Sequence, residues 1–263
     1  MTTQGPDQAT RWRLLLDALA ARRRLSVSEA AELLGVSAAT VRRDFGELAR
    51  RQLATRTHGG VVATSVAYDL PARYRTTSDD PRERIAAEAA GRIRVGTVVA
   101  FNGGTTTTAV ARHLSARPDV QEAEADAVTI VTNALNIAGE MVLRPSIRTV
   151  VIGGVARPQS YELHGPFASR VLRDLLVDEL FLGVDALNLQ GASCHHLGES
   201  VINAEMAERA QRVTVVAAAH KLGRVSLSVI CGLDRVQELI TDREAPEDVV
   251  ADLRAAGVEV TLV

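Results

Sequence analysis

Residues 26–60, SVSEAAELLGVSAATVRRDFGELARRQLATRTHGG, constrain the fold more than any other stretch, because signals for helix, turn, helix and hairpin follow one another without a gap. Ser28 followed by Glu29 predicts an N-cap with an acid in the first helical turn. Ala30, Leu33 and Leu34 then share one face. Gly35 ends that helix, since glycine tolerates the left-handed conformation of a C-terminal cap. Ser37 caps the next helix almost at once, and Val41, Phe45 and Leu48 recur at helical spacing as its inward face. Ala39, Arg42, Arg43 and Gly46 are left outside. Residues 53–62 alternate weakly around Gly59-Gly60 and carry Arg56 and His58, the pattern of a small β-hairpin. Upstream, Trp12, Leu15, Leu16 and Leu19 predict a first helix with Trp12 in its core face. The expected unit is a three-helix bundle with a wing, residues 1–63.

A helix that starts with small residues and continues with paired arginines suits a major groove, where it meets base edges and phosphates. Arg42-Arg43 alone would read as a solvated face, but the unbroken order of helix, turn, helix and wing favours DNA. Ser37, Ala39, Thr40, Arg42 and Arg43, with Arg56 and His58 of the wing, are the expected DNA-contacting residues. Charge placement agrees. The chain carries −2 overall, yet its first 62 residues hold 10 arginines against 6 acids, which leaves −6 for the remainder. A basic module on an acidic body keeps the phosphate-seeking charge local.

The residues VSAATVRRDFGELARRQLATRTHGG also resemble the N-terminal winged helix of the DeoR family of bacterial regulators. That family's pattern is close to VSxxTIRRDLxxLExxGxLxRxHGG, so the Ser, Thr, Arg-Arg-Asp and His-Gly-Gly elements match at the same spacings.

Residues 64–79 lose periodicity but contain Tyr68, Leu70 and Tyr74, and read as a linker that docks on its neighbour. A second domain, residues 80–263, opens on Asp80-Pro81-Arg82-Glu83, with Asp80 as N-cap, Pro81 in the first helical position and Glu83 where a capping box needs it. Ile85, Ala89 and Ile93 line its buried face. Short β-branched runs follow at 97–101, 128–132, 148–152, 179–184, 213–217, 238–241 and 258–262, alternating with helical stretches. The expected fold class is therefore α/β: a winged helix-turn-helix followed by a larger domain with a mostly parallel sheet. No run approaches the length of a membrane span, residues 1–9 lack a signal pattern, and Cys194 and Cys231 make no disulfide framework. The expected compartment is the cytoplasm, with no membrane contact.

Ligands of parallel sheets bind at the carboxyl ends of strands, and here those ends are rich in small and polar residues. Asn102-Gly103-Gly104-Thr105-Thr106-Thr107 lies between a strand and a helix, where backbone N–H groups and hydroxyls can cradle an anion. It lacks the lysine of a P-loop, which argues against nucleoside triphosphate hydrolysis. Asn133, Gly153-Gly154, Asp185 and Glu199 stand near other strand ends and complete a plausible polyol-and-phosphate pocket. Lys221 is the chain's one lysine and follows a strand end, where a compact ammonium can meet a phosphate oxygen. Cys194-His195-His196 with Glu199 has poor spacing for a single tetrahedral metal site, so no metal and no cofactor are expected.

The stretches GGTTTTAVARHL, VTIVTNALNIA, VVIGG, HGPFASRVL, ELFLGVDALNLQG, HKLGR and ELITD again resemble the DeoR family, whose sensor domain is similar in fold to sugar-phosphate isomerases. The resemblance implies a regulator, a repressor of carbohydrate genes, whose operator affinity is set by a phosphorylated sugar or related metabolite. It departs at Asn102, where the family has aspartate, and at Ala218, where it has an acid three residues before the lysine. Two other readings remain: a sugar-phosphate isomerase-like enzyme, and a DNA-binding regulator with a vestigial pocket. Operators built of paired half-sites lead to the expectation of a homodimer or higher even oligomer.

Overall fold

The computed structural model describes residues 7–22, 24–50, 53–63 and 80–263. The expected docked linker, with Tyr68, Leu70 and Tyr74, lies outside the described residues. The chain divides into two units, Met1–Arg75 and Thr76–Val263.

The first unit contains α1 (Gln8–Arg22), β1 (Arg24–Ser26), α2 (Val27–Leu34), α3 (Ala38–Arg50), β2 (Ala54–Thr57) and β3 (Gly60–Ala63). Its core gathers Leu15 and Leu19 of α1, Ala30 and Leu34 of α2, and Val41, Phe45 and Leu48 of α3, with Trp12 and Leu16 packed against them. The cap of α2 is Ser26 rather than Ser28. Ser26 Oγ accepts the Glu29 N–H at 3.2 Å, while the Glu29 carboxylate accepts the Ser26 N–H at 2.8 Å. This reciprocal pair satisfies two N–H groups at once, which a cap two residues later would not. Leu33 is 43% exposed and does not share the buried face. Gly35 ends α2 in the left-handed region at φ 63°. Ser37 Oγ accepts the Thr40 N–H at 3.2 Å and starts α3. The wing is wider than a hairpin, because β1 adds a third antiparallel strand in the order β1-β3-β2. Gly60 permits that crossing, since a Cβ there would lie 2.3 Å from the Leu25 carbonyl oxygen.

The second unit begins with α4 (Pro81–Arg92), capped by Asp80, whose side chain accepts the Arg82 N–H at 2.9 Å. The Glu83 carboxylate meets His113 Nε2 at 2.7 Å. There follow β4 (Val98–Phe101), α5 (Thr105–Ala116), α6 (Pro118–Gln121), β5 (Val128–Thr132), α7 (Leu135–Met141) and β6 (Ile147–Val151). Two short strands, β7 (Val155–Ala156) and β8 (Leu163–His164), precede α8 (Pro166–Leu172) and β9 (Val177–Leu182). The chain continues through β10 (Ala186–Asn188), β11 (Gly191–Cys194), α9 (Leu197–Arg209), β12 (Ala210–Val216) and β13 (Ser228–Cys231). It closes with β14 (Glu238–Thr241), α10 (Glu247–Ala255) and β15 (Glu259–Leu262).

All seven predicted runs pair into one parallel sheet, in the order β15-β14-β12-β9-β4-β5-β6. Its residues alternate between two cores. Leu180 and Leu182 join Leu172, Ile202 and Leu253 of the helices α8, α9 and α10. Phe181 faces the other way and joins Phe101, Ile85, Leu114 and Ile137. Both faces are thus covered, as a sheet of crossover connections demands. From β4 the order runs outward through β5 and β6; from β9 it runs outward the other way through β12, β14 and β15. The reversal between β4 and β9 is a topological switch point, where the loops leave in opposite directions and open a crevice.

Candidate functional site

In α3 the inward face is Val41, Asp44, Phe45 and Leu48, all buried. Asp44 is the member that hydropathy alone would not pick. Its carboxylate accepts Arg11 Nε at 2.7 Å, Arg11 Nη2 at 3.1 Å and Trp12 Nε1 at 3.2 Å, so a buried charge is paired and fully engaged. Trp12 is therefore core, held through its indole N–H. With this face pinned to α1, Arg42 and Arg43 stand outward on the opposite side together with Ala39. Thr40 is half-buried and its hydroxyl lies 3.0 Å from that of Ser37. Arg56 and His58 are exposed on the wing. Gly46 is half-buried rather than outside.

At the switch point of the second unit, Asn102 is buried and clamps two strand ends. Its Nδ2 donates to the Gly183 carbonyl at 2.9 Å, and its Oδ1 accepts the Gly183 N–H at 2.7 Å. An aspartate could not make the first of these bonds, which explains an amide here. Asn102 was expected to face a ligand; the fold uses both ends of its amide. Thr106 and Thr107 were also expected at the ligand. Both are buried, and Thr107 Oγ1 donates to the Gly104 carbonyl at 3.2 Å. Thr108 Oγ1 donates to that carbonyl too, at 2.6 Å, and accepts Asn136 Nδ2 at 2.7 Å. What stays open is the start of α5. Gly104 caps it at φ 144° with no side-chain hydrogen bond, and Thr105 is half-buried.

Arg82, which sequence reasoning passed over as part of a cap, reaches this turn. Its Nη1 donates to Thr105 Oγ1 at 3.2 Å while its Nε stays on Asp80 at 2.8 Å. Lys221 comes from beyond β12, next to β9 in the sheet. Its ammonium donates to the Val184 carbonyl at 2.6 Å. Burial pushes its pKa down, Asp185 opposes that, and the charge of Arg82 adds to it. Two cations thus share the rim of the switch point with the first turn of α5. Asp185 is exposed and accepts the His195 N–H at 2.8 Å. The position of Ala218 carries no acid, and the neighbouring Ala219 N–H is instead bound by the buried Asp242 at 2.7 Å.

Asn133, at the end of β5, is fully buried and donates from Nδ2 to Glu162 Oε2 at 2.9 Å. Glu199 is buried and accepts Arg157 Nη1 at 3.0 Å as well as the Ser160 hydroxyl. Gly154 has a steric role in the fold. Gly154, at φ 116°, lets the chain pass β8, since a Cβ there would lie 2.7 Å from the His164 carbonyl oxygen. His196 caps α9, its Nδ1 accepting the Glu199 N–H at 3.3 Å. Sequence reasoning missed Glu162 altogether. Its only signal was an acid between Tyr161 and Leu163, two residues that read as core.

Comparison with known proteins agrees with this division. Residues 11–66 match the DeoR-like helix-turn-helix domain, and residues 78–243 match the DeoR C-terminal sensor domain. The proposed aga operon transcriptional repressor of Escherichia coli O157:H7 is 33% identical over 91% of this chain and 88% of its own length. The transcriptional regulator GlpR of Haloferax volcanii is 32% identical, covering 89% of this chain and 90% of that one. The glycerol-3-phosphate regulon repressor of Escherichia coli K12 is 27% identical, covering 90% and 92%.

Proposed function

The chain belongs to the DeoR family of transcriptional regulators, and from that premise we propose a repressor whose operator affinity is set by a phosphorylated polyol bound in its sensor domain. The observation that carries the DNA half is the outward pair Arg42 and Arg43 on a helix whose other face is locked by Asp44. The first residues of α3 meet base edges, and the wing's Arg56 and His58 meet the backbone. Support for the effector half comes from the uncapped start of α5 with Arg82 and Lys221 beside it. Unpaired N–H groups at a helix start with adjacent cations suit a phosphate. The names of relatives that regulate glycerol-3-phosphate and aga genes point the same way. The working species is a homodimer or a higher even assembly on paired half-sites.

Arg42→Ala and Arg43→Ala should each cost about 1–3 kcal/mol of specific binding if they read bases. Fluorescence anisotropy over a salt series, with duplex DNA from upstream of the protein's own coding sequence, measures this. Unchanged binding in both variants would retire α3 as the reading helix. Lys221→Ala should leave DNA affinity intact and raise the effector concentration needed for release about tenfold to a hundredfold, the equivalent of one charge-assisted hydrogen bond. Lys221→Arg should rescue poorly, because a planar fork replaces a point charge. An isomerase assay on sugar phosphates should show no turnover.

A further inference from the structure

The cationic rim is one end of the crevice, and the chemistry of the other end narrows the ligand; the inference rests on the phosphate reading above. Residues 161–163 run antiparallel past the end of β5, with the Leu135 N–H on the Tyr161 carbonyl at 3.0 Å and the Leu163 N–H on the Asn133 carbonyl at 2.7 Å. Tyr161 holds φ 61°, a left-handed conformation that is strained for a bulky side chain. The segment lays Glu162 directly over the glycine turn. A Cβ on Gly103 would sit 2.3 Å from Glu162 Cγ, so only glycine fits beneath the acid.

This end of the crevice is built around an acid. Glu162 takes Asn133 Nδ2, the Asn203 side chain and the Gly103 N–H. On the same Asn133 amide, Oδ1 is buried with no hydrogen-bond partner among the described residues. An orphaned buried acceptor is costly and points to a donor that arrives from outside. The charges do not balance either. Arg157 answers Glu199, no cation pairs with Glu162 among the described residues, and burial together with Glu199 pushes the Glu162 carboxyl up to about 7. A hydroxyl could satisfy the orphaned oxygen, but a cation would also take the place of the proton that burial keeps on Glu162. Gly103 under Glu162 and Thr105 under Arg82 are two residues apart, at most about 7 Å along the chain, so one small ligand can reach both.

We propose that the sensor site takes a phosphorylated sugar bearing a protonated amine, with its phosphate at Arg82, Lys221 and the start of α5 and its ammonium at Glu162 and Asn133 Oδ1. Titration calorimetry of the full chain tests it with glucosamine and galactosamine 6-phosphates, the matching glucose and galactose 6-phosphates, N-acetylglucosamine 6-phosphate and inorganic phosphate. At least one amino sugar phosphate should bind ten times more tightly than its hydroxyl counterpart, and the N-acetylated sugar, which keeps a donor but loses the charge, should show no such gain. Glu162→Gln should shrink the preference to within about twofold while leaving inorganic phosphate binding unchanged. Arg82→Ala should weaken all the phosphates alike. If the hydroxyl sugars bind as tightly as the amines to the unsubstituted protein, the amine assignment is wrong and the phosphate site stands. If nothing binds, inorganic phosphate included, the phosphate site is wrong as well.

Discussion

The two units treat buried polarity in opposite ways. In the DNA-reading unit the buried acid Asp44 is met by three N–H groups from Arg11 and Trp12. At the switch point of the sensor, among the described residues, buried Glu162 has no cation of its own and the adjacent Asn133 Oδ1 has no partner. Among the described residues, all four buried side-chain atoms without a hydrogen bond, on Asn133, Asn136, Thr149 and Thr241, belong to the sensor. A recognition helix works by holding its outer face rigid, so its inner face is fully paired. The sensor leaves one of those unpaired atoms, Asn133 Oδ1, beside Glu162, where the proposed ligand would complete it.

The sharpest way to break this comparison is through stability. Phe45→Ala removes a fully buried ring from the pinned face and should cost about 3–5 kcal/mol, lowering the unfolding transition of the first unit while the sensor transition stays in place. A scanning calorimetry trace with neither transition moved would mean the face is not packed as described. Next comes pH. The Glu162 carboxyl is raised from 4.5 to about 7 by burial and Glu199, so between those values the unfolded chain releases a proton that the folded one keeps. Stability present below about pH 4.5 is therefore lost as pH rises through 7, by about 3 kcal/mol, and Glu162→Gln should flatten that slope in urea titrations of the sensor transition. Asn102→Asp should have the smallest effect. It replaces the donor to the Gly183 carbonyl with an acceptor and should cost about 1–3 kcal/mol. An equally stable variant would show that the amide clamp is dispensable.

The seven sheet strands were legible because each is a β-branched run bounded by polar turns, and their ends shifted by only a few residues. The small sheets of β7 with β8 and of β10, β11 and β13 were not, since two of these strands have two residues each and the others, ALN, GASC and SVIC, hold only two β-branched residues among them. The recognition helix was legible down to its inward apolar residues. Asp44 escaped because an acid reads as surface until a tertiary partner is known. Site residues divided similarly. Lys221 stood out by composition, whereas nothing in the sequence showed that the side chains of Asn102 and Thr107 bond the backbone or that Gly154 is held by a close approach.

Caps, periodicity and glycine stops act within about one helical turn or a few strand residues, so the sequence by itself determined the seven strands of the main sheet, the apolar residues on the inward face of α3 and the parallel character of the sheet. Strand order is a long-range choice. It alone set β9 beside β4 and made a switch point there, bringing Gly183 to Asn102 across 81 positions of chain. It also brought Glu162 over Gly103 and Arg82 onto Thr105. Those partners carry no mutual signature in the sequence, because a hydrogen bond or an ion pair is decided by where two groups end up, and only the packed sheet and its loops decide that.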